Sequence, residues 1–189
     1  MNKTSNLVII LTLTCMIAAL SMALVNKLTE GRIDTQKKME KVSSIKNVLP
    51  LFDNDPLADK KEIDGKTFYI GKKADKLTGI ALGVEGEGYS GGIRIMVGID
   101  PTGTITGVEI LEQLETPGLG ARIVDDTFRD QFKGKSLTNS KLVEGHLAVK
   151  KDNGDIDALT GATISSRGVT EAVSEALNIF QQYKDKLTQ

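Results

Sequence analysis

The sequence predicts an α+β fold: a single N-terminal transmembrane helix followed by a domain with an antiparallel sheet and a C-terminal helix. Three observations lead there. No charged residue lies between Lys3 and Lys27. The middle of the chain changes to short, β-branched runs separated by Gly and polar residues. The chain then closes on an amphipathic helical pattern, and strands followed by a helix, without strict β–α alternation, favour an antiparallel sheet.

The apolar run 7–25 reads LVIILTLTCMIAALSMALV. At ~1.5 Å rise per residue it spans about 28 Å, the thickness of a bilayer's hydrocarbon core. Its polar side chains, Thr12, Thr14, Cys15 and Ser21, can bond back to helix carbonyls. The candidate cleavage point after Ser21-Met22-Ala23 falls inside the run, and Thr12-Leu13-Thr14 poorly matches a lipoprotein signal before Cys15. An uncleaved anchor over 1–27 is therefore expected. Beyond it, Ile33, Met39, Val42, Ile45 and Leu49 recur at helical spacing until Pro50, which predicts a juxtamembrane helix over 28–50. Residues 51–189 remain for the folded domain. Lys27, Arg32, Lys37 and Lys38 outweigh Lys3, so charge counting alone would put the C-terminal side in the cytoplasm, a signal diluted by Glu30 and Asp34.

Strands are expected over 67–70, 79–84, 93–99 and 104–111. Asp100-Pro101-Thr102-Gly103 carries a type I turn pattern, so the last two form a hairpin. A Gly/Pro loop follows at 115–120, then a short helix over 125–132 and a strand over 142–150. The terminal helix starts at Ser165 or Ser166 and runs to about Leu187, with Val169, Val173, Ala176, Leu177 and Phe180 as its apolar stripe.

Composition excludes much familiar chemistry. The 189 residues carry 24 Lys+Arg against 25 Asp+Glu, one His, one Cys and no Trp. One Cys forms no internal disulfide and ligates no iron–sulfur cluster alone; one His makes an all-protein zinc site improbable. A net charge of −1 speaks against nucleic-acid binding. His146, on the expected strand, reads as structural or surface, and Cys15 as an apolar filler. No catalytic set and no metal site is predicted, so any reactivity belongs to something bound.

Two motifs follow. Gly86-Glu87-Gly88-Tyr89-Ser90-Gly91 fits the dinucleotide fingerprint G-x-G-x-x-G, but a strand pattern follows it where the fingerprint requires a helix. A tight strand connection explains these glycines better. Asp157-Ala158-Leu159-Thr160-Gly161-Ala162-Thr163-Ile164-Ser165-Ser166 gathers hydroxyls and small residues at a helix start. Two readings stand: Ser165 or Ser166 caps the helix, or free N–H groups and the helix dipole hold a phosphate.

Asp157-x-x-Thr160-Gly161-Ala162-Thr163 resembles the D-x-x-[ST]-G-A-T pattern of the FMN-binding family in which flavin is attached covalently. Upstream, Gly88-Tyr89-Ser90-Gly91-Gly92 and then Glu115-Thr116-Pro117-Gly118-Leu119-Gly120 match in the same order, Ser90 being a small departure. With an uncleaved span, the arrangement is similar to the G subunits of Rnf complexes, ion-translocating ferredoxin:NAD+ oxidoreductases. The C subunit of the sodium-translocating NADH:quinone oxidoreductase is a near relative. The resemblance implies FMN joined by a phosphoester to Thr163, placed there by a flavin transferase. It also implies that Thr160, Gly161, Ala162, Ser165 and Ser166 surround the phosphate end, and that Glu115, Thr116, Gly118, Leu119 and Gly120 contact the ring. Tyr89 would lie nearby, and Asp157 would orient the motif or serve transferase recognition. Lys150, Lys151 and Arg167 are candidates for balancing the phosphate. The implied role is a relay of single electrons beside other Rnf subunits, in the cell membrane and in contact with its lipid, with the FMN domain extracytoplasmic. The alternatives are the quinone-reductase subunit, or a membrane-tethered interaction domain without flavin.

Overall fold

Helix α1, Lys3–Val48, carries the apolar run. The computed structural model describes residues 3–188, and the chain divides between Glu40 and Lys41 into two compact units. In the first unit the apolar side chains of α1, from Leu7 to Val25, are exposed on all sides. Such a helix suits hydrocarbon better than water. Thr12, Thr14 and Ser21 donate to the carbonyls of Val8, Leu11 and Ile17 at 2.8 Å, so their polarity is absorbed within the helix. Among the described residues, α1 is the one helix long and apolar enough to cross a membrane.

The second unit opens with the last turns of α1. The helix ends at Val48, two residues short of Pro50, as expected of a residue with no N–H that disfavours helix before it. Strands β1 (Lys60–Ile63), β2 (Lys66–Lys73), β3 (Lys76–Glu87), β4 (Gly92–Ile99) and β5 (Ile105–Glu112) form an antiparallel meander in chain order. Strand β1 adds to the expected set, because KKEI shows no apolar alternation and lies on an exposed edge. The signal for it is the Asp64-Gly65 turn, where both residues have positive φ, as tight hairpins require. The β4–β5 turn follows the sequence pattern: Gly103 N–H donates to the Asp100 carbonyl at 3.0 Å, and Asp100 Oδ1 accepts from the backbone of Thr102 and Thr104.

Next come α2, Asp126–Arg129, and the two-residue strands β6 (Leu142–Val143) and β7 (His146–Leu147). Helix α2 is shorter than the expected 125–132, with 3-10 turns over Gly120–Val124 and Asp130–Phe132 on either side. The continuous strand expected over 142–150 is corrected. Glu144 and Gly145 both take positive φ and reverse the chain, and Lys150–Asp152 forms a 3-10 turn. The terminal helix α3 spans Thr163–Thr188, starting before the expected Ser165 or Ser166.

The sheet is covered on both faces. Alternation sends Phe68, Ile70, Ile80, Leu82, Ile95 and Val97 toward α3, where Val169, Val173, Ala176, Leu177 and Phe180 meet them. Tyr69, Ala81 and Met96 point the other way, onto Ile45, Val48 and Leu49 at the end of α1. On that face Ala81, Gly98 and Gly107 are register neighbours on β3, β4 and β5. A Cβ on Gly98 would collide with the Val48 carbonyl, and one on Gly107 would sit 2.9 Å from Val48 Cα. The helix terminus therefore lies directly on the sheet backbone. Thr106 Oγ1 donates to the Val48 carbonyl at 2.5 Å, satisfying one of the acceptors that a helix end leaves open.

Gly98→Val is expected to destabilise the full-length protein by about 3 kcal/mol in urea titrations in detergent, since overpacking against backbone relaxes poorly. Gly31→Ala, at an open helical position, should instead stabilise the helix by ~0.5–1 kcal/mol.

Candidate functional site

The N-terminal end of α3 comes down onto the end of β3, where side chains are dispensed with on both sides. A Cβ on Gly86 would strike the Gly168 carbonyl, and one on Gly168 would strike the carbonyl of Glu87. Residues 88–91 then turn tightly into β4, closed by Gly88 N–H donating to the Gly91 carbonyl at 2.9 Å. Strand follows strand here, so the G-x-G-x-x-G match is a hairpin and not a dinucleotide loop, in keeping with the strand pattern that follows it in the sequence.

Glu115 joins three segments at this point. It is only 5% exposed. Its Oε1 accepts from the Ser90 backbone N–H at 2.8 Å, and its Oε2 accepts from Ser165 Oγ at 2.5 Å. Gly88 and Gly120 leave room for the carboxylate, since a Cβ on either would strike one of its oxygens. Both oxygens are thus hydrogen-bonded within the protein, and the carboxylate fixes the loop. Beyond it the loop folds on itself, with Leu119 and Ala121 N–H both donating to the Thr116 carbonyl at 3.1 Å.

Between this loop and α3 lies a cleft of about 540 Å³, within the size range of small-molecule sites. It gathers Tyr89, Glu115, Thr116, Leu119, Gly120, Gly161, Ala162, Thr163 and Ser165, together with Lys151 and Ile164. Gly118, Asp157, Thr160 and Ser166 stand apart from its lining. Tyr89, Leu119 and Ile164 are 73%, 48% and 49% exposed, giving the cleft an apolar rim. Thr163, the first residue of α3, is half-buried, and Lys151 Nζ donates to its Oγ1 at 2.8 Å.

The serines do not cap the helix. Ser165 is spent on Glu115, while Ser166 Oγ donates to the Ala162 carbonyl at 2.9 Å and accepts from Leu159 N–H at 3.0 Å. Ser166 thereby locks the turn 159–162, in which Gly161 takes a φ of 80°. Asp157 is held by Gln131, whose amide accepts from its N–H at 2.7 Å and donates to its carbonyl at 3.2 Å. Its carboxylate pairs with Lys150 at 2.7 Å. Asp152 receives Arg167 in a two-pronged contact, 2.6 Å for each bond. Those bonds hold the Asp152 carboxyl below the usual carboxylate range and raise the guanidinium. Gln131 had no signal in the sequence, because its part depends on a residue 26 positions further along the chain. His146 lies on β7, exposed, with its Nδ1 3.4 Å from Asn178 Nδ2.

The cleft fits FMN. A threonine hydroxyl stands at a helix N-terminus beside an ammonium, where a phosphate is favoured. Apolar side chains and close-lying backbone border the same space, as a flat aromatic ring system needs.

Fold and cleft define a flavin-binding module, and residues 88–178 match the FMN-binding domain family. The whole chain belongs to the family of G subunits of ion-translocating oxidoreductase complexes. It is 32% identical to the G subunit of the ion-translocating oxidoreductase complex of Cereibacter sphaeroides, over 98% of this chain and 89% of that one. It is 36% identical to the G subunit of the proton-translocating ferredoxin:NAD(+) oxidoreductase complex of Clostridium ljungdahlii, over 88% and 86%. The crystal structure of Shewanella oneidensis NqrC superposes with a TM-score of 0.54 at 26% identity, covering 74% of this chain and 69% of that one.

Glu115→Ala would leave the Ser90 N–H and the buried Ser165 hydroxyl without their acceptor. Urea titration should show a loss of about 2–4 kcal/mol, with Glu115→Gln intermediate. The Asp152–Arg167 pair stabilises the fold above the ordinary carboxylate range, and its contribution is lost as pH falls through the depressed Asp152 value. In paired pH–stability curves, Asp152→Asn should be the less stable protein at neutral pH, and its curve should converge on wild type in acid.

Proposed function

We propose that this protein is the electron-transfer subunit of an ion-translocating ferredoxin:NAD+ oxidoreductase complex, with FMN bound by a phosphoester to Thr163. The observation that carries the reading is the placement of Thr163 Oγ1: first residue of α3, bordering the cleft, and 2.8 Å from Lys151 Nζ. The sequence relatives named for such complexes support it, as they match nearly the whole chain at 32% and 36% identity. The NqrC likeness is lower in identity and covers less of the chain, so the quinone-reductase reading ranks second.

Bound FMN supplies one-electron chemistry that no side chain here offers. The protein's own part is to hold and shelter it. Thr163 tethers the phosphate end, while Gly161 and Ala162 keep the backbone low beside it. Leu119, Ile164 and Tyr89 cover the ring, and the Thr116–Gly120 turn limits the water that reaches it. Glu115, Ser166 and Gln131 bond to backbone or to each other's segments, and so hold the walls in place. An ester leaves the isoalloxazine unmodified, so its potential is set by these contacts. The long apolar helix supports membrane association. We place the flavin domain on the extracytoplasmic side, where a tether prevents loss of the cofactor, with a flavin transferase performing the attachment and other complex subunits supplying and receiving electrons.

Protein produced with a flavin transferase should keep flavin fluorescence on a denaturing gel. Peptide mass spectrometry should find FMN less water on the peptide containing Thr163, and Thr163→Val should abolish both signals. Flavin that washes away on denaturation, or that persists in Thr163→Val, would overturn the covalent assignment. An ester on Thr160 would move the site without changing the function.

A further inference from the structure

Three cations lie in the stretch around Thr163, and the structure separates their roles. Lys150 is paired with Asp157 at 2.7 Å, and Arg167 with Asp152 at 2.6 Å. Lys151 sits between these two pairs in sequence, yet its ammonium is directed at the Thr163 hydroxyl, 2.8 Å away, on the wall of the cleft. The direction is built into the backbone. Lys150 N–H donates to the Ile156 carbonyl at 2.7 Å, Gly154 N–H to the Val149 carbonyl at 3.0 Å, and Asn153 takes the left-handed conformation that closes the turn. The Asp152–Arg167 contact then ties that turn to α3, one helical turn beyond Thr163.

We infer that Lys151 is the positioning residue for the flavin phosphate, the cation that neutralises the phosphodiester on Thr163 and fixes its orientation in the cleft. The inference rests on the Thr163 ester proposed above. A lysine suits the task because a compact ammonium can shift its hydrogen bond from the hydroxyl oxygen to a phosphate oxygen on the same atom with little movement. A diester carries one negative charge. With Lys150 and Arg167 neutralised by their own carboxylates, Lys151 brings the loaded site close to electrical balance. A chain lacking this charge would leave the phosphate anion to the helix dipole alone.

Phosphorus NMR on the flavin-loaded, full-length protein in detergent tests this. The resonance of the diester is compared between the folded chain and the same chain unfolded in guanidinium, at neutral pH. Wild type should show a displacement on folding. Lys151→Gln should lose at least half of it, while Lys151→Arg and Lys150→Gln keep it, with all three folded by circular dichroism. An unchanged displacement in Lys151→Gln, or its loss in Lys150→Gln, would overturn the role of Lys151 and leave the ester intact. No protein-bound phosphorus signal in the unfolded chain would overturn the ester reading, and this inference with it. Should Lys151→Gln accept no flavin, Lys151→Arg decides: loss of the displacement there overturns the inference, since the positive charge is retained.

Discussion

Glu115 accepts one hydrogen bond from a residue 25 positions before it and another from a residue 50 positions after it. The hairpin tip at 88–91, the Gly/Pro loop and the start of α3 therefore share one buried anion. A carboxylate out of water is stable only when its oxygens are satisfied. That requirement reaches outward. Gly88 and Gly120 must lack side chains to admit the carboxylate, and Ser165 must face into the protein instead of toward the helix terminus. The cleft is the space left on the open side of this junction, and its depth follows from how closely the three segments are drawn together.

Covering the sheet imposes a second constraint. A five-stranded antiparallel sheet with apolar side chains on both faces needs two covers. Helix α3 covers one with a broad apolar stripe, and a few residues at the end of α1 cover the other. So short a cover works only because Gly98 and Gly107 let the chain approach to backbone contact, where a larger pair of side chains would hold it away.

Much of this was legible in the sequence, and the parts that were not share a cause. Strands with alternating β-branched residues, the Asp100–Gly103 turn and the α3 stripe are local patterns, and each was found where expected. Strand β1 was missed because an edge strand of Lys and Glu carries no burial pattern. The single strand expected at 142–150 failed because Glu144-Gly145 reverses the chain after two paired residues. At the site, motif matching gathered most of the lining. It gave no sign of the bond that joins Glu115 to Ser165, and left Ser165 and Ser166 between capping the helix and surrounding a phosphate, since a side chain's partner 50 residues away leaves no local trace. Lys151 illustrates the same limit from the other side. Three neighbouring cations look alike in one dimension, and only the carboxylates that claim two of them single out the third.

The contact between Val48 and the glycine row bears on where the chain can be cut. Sequence punctuation suggests a boundary at Pro50, where a helix stops and loops begin. Proteolytic or genetic removal at that point would strip Ile45, Val48 and Leu49 from the sheet, uncover Tyr69 and Met96, and leave the Thr106 hydroxyl facing solvent. A water-soluble fragment that keeps its shape must begin upstream, near Lys41, and carry a stub of helix with it. The physical edge of the folded domain runs through the middle of a continuous helix, so the segment that resembles a stalk is in part a piece of the core.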